Sequence, residues 1–303
     1  MTALKVGLAL GGGGARGIAH IGVLKVLESE GIHLHMIAGT SFGSIVGAMY
    51  AQNPAILPLK ERVLAFLKSE AFRRTKIFFI KRHYEEKKNK SFMTNLKTYL
   101  QKGIFFGISL QRPSFISEDV FLSQMAQLLE DKPIEETIIP FVAVATDLTN
   151  AREMVLSEGS IRRAVAASCA IPGVLPPIHI NGAQLIDGGW VNQVPVAPLQ
   201  CSGMDVVIAV NISEEVDVGE EVFDSGLDVV LRANEITRSV LSHKQLDDVD
   251  FSIRPEIGDI HWSDFWRYDE AIAKGEEAAR AALKPLKQLL WRKRVKKFLT
   301  ISH

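Results

Sequence analysis

Lys5-Val-Gly-Leu-Ala-Leu-Gly11-Gly-Gly-Gly-Ala-Arg-Gly17 is the stretch that decides the fold. An apolar run of strand length breaks into four consecutive glycines. Helical spacing follows at once from Ile18 to Gly31, with Ile21, Leu24 and Leu27 on one face. Outward from this unit, His35-Met-Ile-Ala38 reads as a second buried strand and Ile45 to Ala51 as a second helix. Strands alternating with helices indicate an α/β fold with a parallel sheet covered on both faces. Further strands are expected at Ile139–Ala145, Met154–Leu156, Ala183–Ile186 and Val206–Val210, and a helix at Ile161–Ala167 ahead of Pro172. Residues 55–135 hold helical fragments, many charges and aromatic pairs without a clear strand, the pattern of an insertion or cap. There is no internal repeat.

The glycine run has three readings. Gly12, Gly14 and Gly17 satisfy G-x-G-x-x-G, but the second strand ends Met36-Ile-Ala-Gly-Thr40 without the carboxylate that a dinucleotide site uses. A P-loop requires Lys and Ser/Thr after its last glycine, where Ile18-Ala19 stand. The third reading is an anion-stabilising turn, whose converging N–H groups and helix N-terminus suit a transient oxyanion as well as a phosphate.

Gly39-Thr-Ser41-Phe-Gly43 is G-x-S-x-G between a strand and a helix, the setting of a nucleophile elbow. A serine raised on a strained turn needs small flanking residues, and both adjacent loops lie at the carboxyl ends of strands, where open α/β sheets bind ligands. Ser44 lacks that flanking pattern. A serine needs a base. None of the eight histidines has a distinctive setting: His20 suits a surface or packing role, and a triad through His243 or His261 remains open. Asp187 in Leu185-Ile-Asp187-Gly188-Gly189-Trp190 is better placed, at the end of an apolar strand before two glycines. Partial burial would raise its pKa toward working pH.

In this order, Gly12-Gly13-Gly14-Ala-Arg16-Gly17, Gly39-Thr-Ser41-Phe-Gly43 and Asp187-Gly188-Gly189 resemble the patatin-like phospholipase family. Gly17-Ile-Ala-His-Ile-Gly-Val-Leu24, Ala145-Thr-Asp-Leu148, Ala167-Ser-Cys-Ala-Ile-Pro-Gly-Val-Leu-Pro-Pro177 and Asn192-Gln-Val-Pro195 extend the likeness over about residues 5–210, with Tyr268 to Leu283 as a closing helix. The resemblance implies a three-layer α/β/α sandwich with a mostly parallel central sheet, related to α/β hydrolases and carrying a helical cap. It implies a serine lipid acyl hydrolase in which Ser41 is the nucleophile and Asp187 its base. Amides at Gly12, Gly13 and Gly14 would form the oxyanion hole, with Arg16 and Gly17 ordering the loop. Gly39 and Gly43 would serve the elbow, and Gly188 and Gly189 the dyad turn. Alternatives are a soluble esterase or thioesterase on small or CoA-linked substrates, and a nucleotide-binding regulator.

Composition bounds these readings. At 47% hydrophobic and 23% charged, with 35 basic against 35 acidic residues, the 303-residue chain is neither disordered nor a uniformly basic polyanion binder. The balance is a cancellation. Residues 68–102 hold 11 basic and three acidic residues, and 284–303 hold seven basic and none acidic. The rest of the chain is correspondingly acidic. In the tail Trp291, Val295, Phe298 and Leu299 form one helical stripe among the basic residues. The expected organisation is one acyl hydrolase domain over 1–283 and a basic amphipathic tail over 284–303. Both basic segments suit peripheral contact with an anionic membrane, the alternative for the tail being a stripe packed on the domain. Nucleic acid is not an expected partner, since no recognition motif accompanies the charge. No cofactor or metal signature is present. Cys169 and Cys201 read as buried free thiols, and the chain reads as cytoplasmic, without signal peptide or membrane span.

Overall fold

A computed structural model describes residues 4–73, 114–213 and 226–301. The strand–turn–helix unit forms as β1 (Val6–Leu10), a 3-10 turn (Gly14–Ile18) and α1 (Ala19–Ser29). It is repeated by β2 (Met36–Thr40) and α2 (Phe42–Gln52). Next come α3 (Ile56–Lys68), α4 (Glu70–Arg73) and α5 (Glu118–Met125). Then follow β3 (Phe141–Asp147), β4 (Arg152–Leu156), α6 (Ile161–Ser168), β5 (Ile178–Ile180) and β6 (Ala183–Asp187). The chain closes with α7 (Ala197–Cys201), β7 (Val206–Val210), α8 (Gly226–Leu246), β8 (Phe251–Ile253) and α9 (Tyr268–Ile301).

One eight-stranded sheet results, parallel across β3-β2-β1-β7-β8 and antiparallel where β4, β5 and β6 join. The continuous apolar character of the central strands follows from cover on both faces. Leu8, Leu10 and Ile37 face a large core with α1, α2 and α3, whereas Ala9, Ala38 and Ala209 meet Val194, Val196 and Leu199 on the other face. This is the expected α/β/α sandwich. Helix α9 lies along α1 at backbone contact: a Cβ on Gly275 would stand 2.0 Å from the Ala19 carbonyl, and one on Gly22 2.1 Å from that of Ile272.

The register of β3 positions the site. Gly39 and Thr40 of β2 pair with Ala143 and Val144, whose other edge pairs with Leu156 and Val155 of β4. Beyond Val144, β4 keeps its edge, and the edge vacated by β2 passes to β6, with Asp187 opposite Ala145. The carboxyl ends of β2 and β6 therefore meet head to head along β3.

Several local expectations change. Strands β5 and β8 have three residues each, too short for a periodic signal. Helix α8 has Val229, Val230, Ile236 and Val240 exposed, so its apolar positions do not mark a buried face. Cys169 is buried as expected, but Cys201 is exposed at the end of the short α7. Helix α9 runs through Pro285 without a break, so the residues read as a tail are its last turns. Most of the basic segment 68–102, and the centre of the expected cap, lie outside the described residues.

Candidate active site

Strand β2 ends at Thr40 and α2 begins at Phe42, so Ser41 alone makes the turn, at φ 52° and ψ −127°. A side chain in that region costs roughly 1–3 kcal/mol and persists only under restraint. The restraints are visible. The Ser41 N–H donates to Ser168 Oγ (2.9 Å), and Ser168 in turn donates to the Val144 carbonyl (2.6 Å). The Ser41 carbonyl accepts from the Ser44 hydroxyl at 2.6 Å, which occupies Ser44 as a brace. Gly39 and Gly43 are where the elbow touches other backbone: a Cβ on Gly43 would lie 2.3 Å from the Leu10 carbonyl, and one on Gly39 2.5 Å from Ser44 Cα.

The Ser41 hydroxyl donates to Asp187 Oδ2 at 2.6 Å, and the Gly189 N–H donates to Oδ1 at 2.7 Å. Asp187 is 6% exposed and Ser41 8%. Burial raises the Asp187 pKa, while the Ser41 hydroxyl, the Gly189 N–H and the nearby Arg238 guanidinium each hold it down. Gly188 allows the turn to pass the sheet, since a Cβ there would meet the Val144 carbonyl at 2.2 Å. Thr146 fixes the strand end by donating to the Asp187 carbonyl (2.8 Å).

The glycine loop crosses above β1 with its hydrogen bonds divided. Gly11 N–H donates to Val210, and Gly12 N–H donates to the Gln193 carbonyl. Ala15 N–H donates to Trp262, and Arg16 N–H to Gly13. Gly13 and Gly14 N–H groups have no acceptor among the described residues. Gly14 has φ +56°, and a Cβ there would press 2.3 Å from the Trp262 carbonyl. A Cβ on Gly17 would stand 2.7 Å from Phe42 Cβ, so the loop rests on the elbow. Arg16 is buried within the 3-10 turn. His20 is fully buried beneath the loop, with Nε2 2.7 Å from the Gly11 carbonyl and Nδ1 without a partner among the described residues. Desolvation lowers its pKa to about 4, so the imidazole is neutral and Nε2–H is the donor.

Four contributors escape sequence reasoning. Ser168, His20 and Gln193 lie in segments of the family likeness that mark no role for them, and Arg238 lies outside every motif; Gln193 reaches the site from the segment after β6 and Arg238 from α8. No hydrogen bond joins a histidine to Ser41 or Asp187 among the described residues. His243 pairs with the Ser239 carbonyl and His261 with Ser263 Oγ. No cluster of three His, Cys, Asp or Glu side chains is placed to hold a metal among the described residues. A hydroxyl on a strained elbow, a buried carboxylate accepting its hydrogen bond and two open amides nearby are the parts of an acyl-transfer site.

A serine on a strand–helix elbow of an α/β sheet, facing a buried aspartate, defines a site of the serine hydrolase type. Residues 8–199 match the family described as "Patatin-like phospholipase", and the chain belongs to that family. It is 31% identical over 217 residues to mouse (Mus musculus) "Patatin-like phospholipase domain-containing protein 6", covering 71% of this chain and 14% of that protein. It is likewise 31% identical to "Lysophospholipase NTE1" of Saccharomyces cerevisiae, covering 72% of this chain and 11% of that protein. The chain thus spans a small fraction of the relatives it matches. Among solved structures, VipD from Legionella pneumophila overlaps 96% of this chain and 67% of its own at TM-score 0.49 and 16% identity.

Proposed function

We propose that this protein is a serine acyl hydrolase that cleaves fatty-acyl esters of phospholipids or lysophospholipids through a Ser41–Asp187 dyad. The observation that carries the reading is the 2.6 Å hydrogen bond from the Ser41 hydroxyl to a buried Asp187 carboxylate. Ser41 Oγ attacks the ester carbonyl as its proton passes to Asp187, and a tetrahedral oxyanion forms. The open N–H groups of Gly13 and Gly14 stabilise that oxyanion, Gly12 being committed to Gln193. Collapse expels the alcohol, which takes the proton from Asp187, and leaves an acyl-Ser41 ester. Water then attacks, giving up its proton to Asp187, and the fatty acid departs as Ser41 regains its hydroxyl proton.

Burial suits Asp187 to this work, because a carboxylate with a raised pKa is the stronger base. The family membership and the printed names of its relatives support a lipid ester as substrate. Peripheral contact with an anionic membrane through the basic end of α9 belongs to the same proposal, since Trp291, Val295 and Leu299 are exposed there beside Arg292, Arg294 and Lys296.

The test pairs a short-chain ester with lysophosphatidylcholine and follows released acid. Ser41→Ala and Asp187→Asn are each expected to abolish turnover, and a fluorophosphonate probe to label wild type but not Ser41→Ala. Undiminished hydrolysis by Ser41→Ala, or labelling at another serine, overturns the assignment. Hydrolysis of the short ester or an acyl-CoA, with none of the phospholipids, overturns the substrate class alone.

A further inference from the structure

Gln193 grips the glycine loop at two points. Its carbonyl accepts the Gly12 N–H at 2.9 Å, and its Nε2 donates to the Gly12 carbonyl at 2.6 Å. The Gly12 carbonyl and the Gly13 N–H belong to one planar trans peptide and point in opposite directions. Holding that carbonyl therefore aims the Gly13 N–H, one of the two amides left open. Gln193 is 6% exposed, so its amide group has little freedom to turn away.

Gln193 is held in turn. Arg238 on α8 donates from Nη2 to Gln193 Oε1 (3.1 Å) and from Nε to the Gly189 carbonyl (3.2 Å). Its guanidinium lies over the Trp190 ring, 5.6 Å from the centroid. About two turns further along α8, Gln245 accepts the Gln193 N–H (3.1 Å) and donates to the Val191 carbonyl (2.8 Å). One helix thus contacts both the turn that carries Asp187 and the residue that grips the glycine loop. The guanidinium is also near enough to Asp187 for its charge to act on the carboxylate.

From this arrangement we infer that Gln193 and Arg238 are positioning residues which, through α8, fix the oxyanion-binding amide of Gly13 relative to the Ser41–Asp187 pair. The inference rests on the dyad reading and goes beyond it, because neither residue touches the reacting atoms. Arg238 has a second effect, since its charge favours the ionised form of Asp187.

Steady-state kinetics on p-nitrophenyl butyrate separate these roles from a structural one. Gln193→Glu keeps an acceptor for Arg238 but sets an oxygen against the Gly12 carbonyl. It is expected to lower kcat at least tenfold with KM within about twofold, since misplacing an oxyanion donor acts on the transition state. Arg238→Gln is expected to lower kcat and to move the acidic limb of the pH–kcat profile to higher pH. Arg238→Lys keeps the charge, so it is expected to lower kcat while leaving that limb in place. In a cycle of Gln193→Leu, Arg238→Gln and their double variant, the double loss is expected to match the larger single loss, because both act through one linkage. Wild-type kcat in Gln193→Glu, a loss confined to KM, or multiplying losses in the double variant overturns the inference. Should the Gln193 variants fail to fold, the Arg238 pair decides, and equal pH profiles for Lys and Gln overturn the electrostatic part. Ser41→Ala in the same assay keeps the two readings apart: activity there refutes the dyad, while an inert Ser41→Ala with unaffected Gln193 and Arg238 variants refutes only the positioning.

Discussion

Acidification from pH 7 to pH 4 is expected to remove about 3 kcal/mol of folding stability through one side chain, His20. The imidazole is fully buried beneath the glycine loop; Nε2 serves the Gly11 carbonyl, and Nδ1 has no hydrogen-bond partner among the described residues. A second proton would place a charge and an unmet donor in the core, so burial depresses the pKa from 6.5 to about 4. At pH 7 the residue is neutral in both folded and unfolded chains and contributes no pH dependence. Below 6.5 the unfolded chain binds a proton that the folded chain refuses, and stability falls until the folded pKa is reached. A difference of about 2.5 units at 1.36 kcal/mol each gives about 3 kcal/mol, a large share of a typical 5–15 kcal/mol total.

Asp187 acts with the opposite sign. Its folded pKa is raised, so its ionisation costs stability at neutral pH and that cost is relieved on acidification. The assay must therefore isolate His20: urea unfolding followed by circular dichroism at pH 7.0, 5.5 and 4.5, for wild type and His20→Gln. Glutamine keeps a donor where Nε2 stands and cannot titrate. The stability difference between the two proteins is expected to shift in favour of His20→Gln by about 2.5 kcal/mol between pH 7.0 and pH 4.5. A difference that stays constant with pH refutes the reasoning.

Three further outcomes follow from the same geometry. Ser168→Ala leaves the Ser41 N–H without its acceptor in a buried site and is expected to cost about 1–3 kcal/mol, read as a lower urea midpoint, together with slower fluorophosphonate labelling. Gly43→Ala drives a methyl group to 2.3 Å from the Leu10 carbonyl, and is expected to abolish labelling and to lower the thermal midpoint by more than 5 °C. Ile236→Asp places a charge on the exposed apolar side of α8, and is expected to reduce hydrolysis of vesicle lipid several-fold while sparing a soluble ester. Equal loss on both substrates would remove α8 from the lipid-facing surface.

What the sequence discloses is what lies close along the chain. The turn after β1 and the elbow after β2 each fit within a few residues, because sterics at Gly39 and Gly43 and the helix start at Phe42 are local requirements. Asp187 is recognisable from an apolar strand running into two glycines. The hold on Ser41 and on the glycine loop is different in kind: Ser168 stands 127 residues from Ser41, and Gln193 stands 181 from Gly12. Contacts of that separation leave no periodicity, and only the pairing of β3 with both β2 and β6 creates them. His20 illustrates the limit. Its position in the first helix is legible, but its hold on Gly11 depends on how that helix turns toward the loop.

Sheet polarity also changes what the basic tail can do. The Ser41–Asp187 pair lies at the carboxyl edge of β2 and β6. The end of α9 is moored at the opposite edge, where Lys293 bonds Asp250 at 2.5 Å and Lys297 bonds Asp205 at 2.6 Å, just ahead of β8 and β7. Lys287 pairs there with Glu30, beyond α1. A cleft of about 580 Å³ lies at this same far edge, lined in part by Leu4, Val6, Trp291 and Arg294. Helix α9 runs alongside α1 from Gly275, near Ala19, to this edge, so its exposed Trp291 points to a surface remote from the dyad. One flat bilayer cannot meet both edges of the sheet at once. Membrane contact through the tail would tether the protein, whereas access of the proposed lipid substrate to Ser41 would fall to the carboxyl edge, beside the α8 helix that carries Arg238. Binding and turnover are then separable: Trp291→Ala is expected to weaken sedimentation with anionic vesicles and to leave hydrolysis of a soluble ester intact.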